Sequence, residues 1–176
     1  MARLEYLDPD GTIADQIRAR RDGALRPLDQ VLLHSPELAA GWNGLLGAVR
    51  SSSSLPADVR ELVILRVAVL NRASYEWDAH APLGIRHGLG EAELEHIRTG
   101  GGVSPLGAEQ QVAFDFTTAL TQECRVDDAL FARAEQAFGP QGVVDLTVTV
   151  GAYNMVSRFL TALDVDERLQ RDGAGA

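Results

Sequence analysis

Lysine is missing from the sequence: all sixteen basic residues are arginine. Without a primary amine on any side chain, Schiff-base chemistry, covalent attachment of pyridoxal phosphate and a P-loop lysine are all excluded. Cysteine occurs once, at Cys124. A single thiol can form no intrachain disulfide and no dithiol redox couple within one chain. Basic residues are also outnumbered by 25 acidic ones, for a net charge of −9 and a sequence pI near 4.8. That balance lacks the cationic footprint needed to displace counterions from nucleic acid. No apolar run reaches the roughly 18 residues that span a bilayer. The start, MARLEYLDPDGTIADQ, has no apolar signal core, so the cytoplasm is the expected location and neither membrane nor nucleic acid an expected partner. GxGxxG, GK[ST], HExxH and EF-hand patterns are absent, so no nucleotide cofactor or familiar metal motif is indicated and no cofactor is expected.

What remains is ordinary for one globular domain: 176 residues, 45% hydrophobic and 23% charged. No segment alternates with period two between hairpin turns, so the expected class is all-α. Glycine and proline divide the chain into helices expected near 12–21 and 25–33, then from Pro36 to the serine run Ser51–Ser54, which reads as a loop. Further helices are expected at about 56–71 and 74–87, within GLGEAELEHIRTG, and near 105–123, 127–138 and 140–163. Residues 1–35 read as a helical extension and 164–176 as a flexible tail of a single domain, 1–176. The segment PADVRELVILRVAVLN is apolar on most faces and reads as a buried helix. Its β-branched run VILRVAVL leaves a strand as the competing reading.

The chemistry-bearing stretch is RELVILRVAVLNRASYEWDAHAPLG. Glu76 and His80 are four apart, so a helix places them on one face about a turn apart. Glu61 stands on the preceding apolar helix, and a helical hairpin would bring it to the same cavity. Two carboxylates and an imidazole in a partly dry pocket suit general acid–base catalysis. A plainer reading stands beside this one: Glu76 pairs on the surface with Arg72, and Glu61 pairs with Arg66.

These residues resemble the carboxymuconolactone decarboxylase and alkylhydroperoxidase D superfamily, whose signature is a glutamate, about a dozen residues, then Cys-x-Tyr-Cys-x-x-Ala-His. Glu61 matches the glutamate, and Tyr75, Ala79 and His80 match Tyr, Ala and His. Both cysteine positions differ, falling on Ala73 and Glu76. The likeness extends over roughly residues 36–163, through Leu55-Pro56, Arg60-Glu61-Leu62, Gly88-Leu89 and VVDLTVTVGAYNMVSRFL. It implies an alkylhydroperoxidase D-like helical bundle and a homo-oligomer. Loss of both thiols removes the couple that hydroperoxidase activity uses, so a thiol peroxidase is not expected. The decarboxylase branch implies cofactor-independent proton transfer around an enolate or dienolate. The substrate would be a small or medium carbonyl, lactone or conjugated acid, and the net reaction decarboxylation, isomerisation, dehydration or intramolecular addition.

Glu76, His80 and Glu61 are therefore the candidate catalytic residues. Candidate substrate contacts are Tyr75, Arg66, Trp42, Asn71, Tyr153 and Asn154. Arg66, set in an apolar helix, needs a partner because an unpaired buried charge is costly; that partner is either an anionic substrate group or an acid such as Asp145. Trp77 is expected in the core, and His34, His87 and His96 at the surface. A non-catalytic binding or assembly protein of the same fold is the alternative function.

Overall fold

A computed structural model describes residues 2–21 and 23–165. The expected flexible tail lies, from residue 166 onward, outside the described residues. Among these there are eight helices and no strand: α1 (Thr12–Arg20), α2 (Pro27–Leu32), α3 (Pro36–Ser51), α4 (Ala57–Leu70), α5 (Ser74–Arg86), α6 (Glu91–Thr99), α7 (Ala108–Glu123) and α8 (Asp128–Leu163). The chain divides into two compact units, residues 51–158 and a second formed by residues 1–50 with 159–176.

In the unit made from the chain ends, α2 begins at Pro27, later than the expected 25. Proline fits a first helical turn, where no N–H partner is required. Asp29 then accepts from the Arg26 backbone N–H at 3.1 Å and lies 3.1 Å from Arg21 Nε. One buried carboxylate thus ties the helix start to the cation of α1's C-cap residue.

In the unit 51–158, α4 lies at the centre. Its residues from Val59 to Ala68 are buried apart from Arg60, and it packs against α5, α6 and α7. Apolar side chains on nearly every face suit a helix surrounded by others, and the competing strand for VILRVAVL does not form. The α4–α5 connection is a tight Schellman turn. Ala73 N–H donates to Ala68 O at 2.8 Å and Arg72 N–H to Val69 O at 3.1 Å, with Arg72 left-handed at φ 56°. Three residues, Asn71 to Ala73, therefore fold α5 back along α4. Pro82 lies inside α5. The two segments expected at 127–138 and 140–163 run on as α8, broken only at Gly139 (φ 67°, ψ 175°). Glycine reaches that backbone conformation without steric cost, and Pro140 after it needs no donor.

Candidate active site

Glu61 comes from α4, Glu76 and His80 from α5, and Tyr153 from α8, all within the unit 51–158. His80 is the hub. Its Nδ1 lies 2.7 Å from Glu61 Oε2, and its Nε2 lies 3.5 Å from Glu76 Oε2 and 3.4 Å from the Tyr153 hydroxyl. The phenol ring meets the imidazole edge-on, with centroids 5.3 Å apart and planes at 89°. The side chains of Glu61, Glu76 and His80 are only 4%, 6% and 8% exposed. The four-residue spacing along α5 sets the Glu76–His80 pair, and the Schellman turn brings Glu61 to the other edge of the ring.

Nδ1 faces Glu61, and Nε2 faces Tyr153 and Glu76. The carboxylates stand at opposite nitrogens of one imidazole, a linear order of acid, ring and acid rather than a convergent set. Among the described residues no three or more His, Cys, Asp or Glu side chains are grouped to hold a metal ion. The surface pairings do not form: Glu76 is buried against His80, and Glu61 takes His80 rather than Arg66.

Arg66 does not pair with Asp145. Its Nε donates to Thr118 Oγ1 at 3.0 Å and its NH1 to Ile97 O at 2.9 Å, with the guanidinium 4.3 Å from the Phe114 ring centroid. Burial lowers its pKa below the ordinary arginine value. Ile97 is in the last turn of α6, where carbonyls lack helical partners and a cation is favoured. Arg66 thus caps α6 from inside the unit. Gly100 lets it do so, because a Cβ there would come within 3.2 Å of the guanidinium. Asp145 instead accepts from the Ser54 N–H and Oγ, both at 2.7 Å, ahead of α4.

Asn71 and Asn154 are brought together, with Nδ2 of the first donating to Oδ1 of the second at 2.9 Å. Asn154 also donates to Thr121 Oγ1 and Val150 O and accepts from Arg158. Tyr75 is half-buried, one residue before Glu76. Trp42 belongs to the other unit, where its ring lies 5.2 Å from that of Phe159. Two further expectations are corrected. His96 is buried, tilted against Phe114 with Nδ1 3.2 Å from Gly101 O, because α6 turns it toward α7. Trp77 is half-buried rather than core, with Arg98 over its ring at 4.7 Å. No local signal marked the Arg98–Trp77 pair, which the packing of α6 beside α5 creates.

Residues 36–119 match the model of the carboxymuconolactone decarboxylase family. No curated protein matches the sequence. Among solved structures, an uncharacterised peroxidase-related protein with an alkylhydroperoxidase AhpD core, from Ralstonia eutropha JMP134, superposes with a TM-score of 0.81 at 16% identity, covering 94% of this chain and 92% of that one. A protein of unknown function from Agrobacterium tumefaciens, a putative antioxidant defence protein AhpD, gives 0.71 at 21% identity over 78% and 94%. The debrominase Bmp8, as a Cys-to-Ala variant in complex with 2,3,4-tribromopyrrole, gives 0.74 at 13% identity over 92% and 90%. At these identities the structural likenesses establish the fold.

Proposed function

We propose that the chain is a member of the carboxymuconolactone decarboxylase and alkylhydroperoxidase D-like superfamily in a form without the paired cysteines, a reading supported by the family-model match over residues 36–119 and the shared fold. We propose further that it is a cofactor-independent acid–base enzyme acting on a small or medium carbonyl, lactone or conjugated acid. One observation carries this reading: a buried imidazole with a carboxylate at each nitrogen and a phenol beside Nε2. Glu61 orients the ring and stabilises the positive charge that forms whenever Nε2 takes a proton, the part a carboxylate plays behind a catalytic histidine. Glu76, where a thiol stands in the family signature, exchanges the substrate proton and passes it to or from His80. As the substrate C–H or C–C bond breaks, its electron pair enters the conjugated carbonyl to give an enolate or dienolate. Return of a proton to carbon then completes isomerisation, or decarboxylation once CO2 has left. Delivered instead to a departing β-hydroxyl, the proton releases water. In an intramolecular addition the base takes the proton of the attacking hydroxyl and the acid protonates the enolate carbon.

The test is turnover of a panel of small lactones, 3-oxo acids and conjugated acids by chelator-treated protein and by its Glu76→Gln and His80→Gln variants. Activity that survives the chelator and falls in both variants supports the assignment. Full activity in both folded variants rejects it. A second reading has its own observation: side chains this deeply buried also suit a structural ionic network in a binding or assembly protein. A folded protein inert to the whole panel, and destabilised by both substitutions, favours that reading.

We also infer a homo-oligomer. Val144, Val148 and Met155 on α8 are 60%, 39% and 38% exposed. With Gly151 they form a 4-3-4 spacing, the seam by which helices of two copies pack. Sedimentation velocity reads the assembly state, and Val148→Glu should dissociate it; a monomeric wild-type protein overturns the inference.

A further inference from the structure

Arg66, the cation that the sequence offered to an anionic substrate, donates from Nε and NH1 to protein groups, whereas two other guanidiniums make no such bonds. Arg72, in the turn before α5, and Arg98, on α6, both exposed, line one open surface pocket of about 240 Å³ that also takes in Ala68, Val69, Ala73, Ser74 and Trp77. Among the described residues neither guanidinium has a hydrogen-bond or ion-pair partner, and no acid lines the pocket. We propose that this pocket binds the carboxylate of a small organic acid, held between Arg72 and Arg98 and against the Trp77 edge.

Three features support the site. Arg98 lies over the Trp77 ring, which restrains a long side chain while leaving its in-plane N–H groups free for a bidentate carboxylate. Arg72 occupies the left-handed position of a Schellman turn at φ 56°, where glycine is the least strained residue. Keeping arginine there incurs a backbone cost with no side-chain hydrogen bond in return, which a ligand contact would explain. The one acid in the first turn of α5, Glu76, is turned inward to His80, so it does not oppose an anion in the pocket. The first amides of α5 add to the favourable field, but the two guanidiniums make the site. The binding does not depend on the acid–base reading above.

Benzoate is the probe, with benzamide as its neutral counterpart, and the readouts are the Trp77 indole and Ser74 amide NMR signals of the full chain. Benzoate should give a saturable shift at both, and benzamide should bind at least about 10-fold more weakly, as loss of a charge-assisted pair implies. Arg98→Gln should weaken benzoate by roughly 10-fold or more, and Arg98→Lys by less, since it keeps charge without the fork. Arg72→Gly relieves the left-handed backbone, so it should fold at least as stably as wild type while losing affinity by a similar factor. Equal binding of benzamide, no saturable shift, or unchanged benzoate affinity in Arg72→Gly and Arg98→Gln would overturn the proposal. Glu76→Gln should keep benzoate affinity within about twofold, because it touches the proton transfer and not the pocket. Failure of the acid–base reading would show only in turnover, and failure of the pocket in these titrations.

Discussion

Glu61 and Arg66 stand five residues apart on α4, and both are buried, at 3% and 8% exposure. Their surroundings differ in kind. Arg66 is satisfied by a hydroxyl, a backbone carbonyl and an aromatic face, none of which exchanges protons near neutral pH. Glu61 is satisfied by an imidazole, which in turn faces a second carboxyl and a phenol. A buried charge alone therefore marks nothing about function. On the proposed function, what separates a scaffold from a reaction centre on this helix is whether the partners can change protonation state themselves.

The comparison breaks most visibly through the proton-exchanging partner. Glu76→Gln and His80→Gln should each lower kcat by about 10²–10⁴-fold, the usual worth of a positioned acid or base. The amides preserve volume and some hydrogen bonding, so melting temperature should change far less than activity. His80→Ala is the poorer test, since it strands the buried Glu61 and invites unfolding for reasons unrelated to catalysis. Arg66→Met should behave in the opposite way. It leaves Ile97 O unpaired at the end of α6, which should cost roughly 1–3 kcal/mol in urea unfolding, with kcat of the folded protein unchanged. An Arg66→Met variant that is stable but inactive would erase the distinction between the two charges.

How far the sequence reveals this arrangement follows from the range of each interaction. Helix order is legible because Pro56, Gly90 and the Gly139–Pro140 pair punctuate the chain, although the helix expected from 105 begins only at Ala108, after Gly107. Juxtaposition of Glu61, Glu76 and His80 is legible as well: one pair is set by helical spacing, and the third member comes back across a three-residue turn. Tyr153 could be listed among candidates but not assigned to Nε2, because it reaches His80 across 73 residues, on α8. Arg66 shows the same limit. Its need for a partner is evident from its apolar neighbours, yet the partner is a helix-end carbonyl rather than Asp145, and no residue-type pattern encodes a carbonyl. His96 is misread as a surface residue for a related reason, since only the packing of α6 on α4 decides which way that short helix turns.

Tyr153 offers a finer cut. If the phenol hands a proton to or from Nε2, Tyr153→Phe should lower kcat by about 10-fold, toward the lower end of what acid–base groups contribute. The edge-on ring contact with His80 survives in phenylalanine, so stability should hold. A pH–rate profile separates the roles: a proton-carrying phenol changes its shape, whereas a packing role leaves it as in wild type. An unaltered rate and profile would reduce the exchanging set to the two acids and the ring.

The smallest expected effect lies at the Asn71–Asn154 pair, which carries polarity but no titratable group. Asn71 caps the end of α4, and its amide donates to Asn154 on α8, so the pair ties the end of one helix to another. Asn71→Ala removes one neutral hydrogen bond and should cost about 1 kcal/mol in urea unfolding, with kcat within about twofold of wild type. Asn154 keeps its bonds to Thr121 and Val150 in that variant, which limits the loss to the single contact. A fall in kcat comparable to that of Tyr153→Phe, without loss of stability, would place neutral amides among the reacting groups. The rule drawn from Glu61 and Arg66 would then fail on the same helix that supplied it.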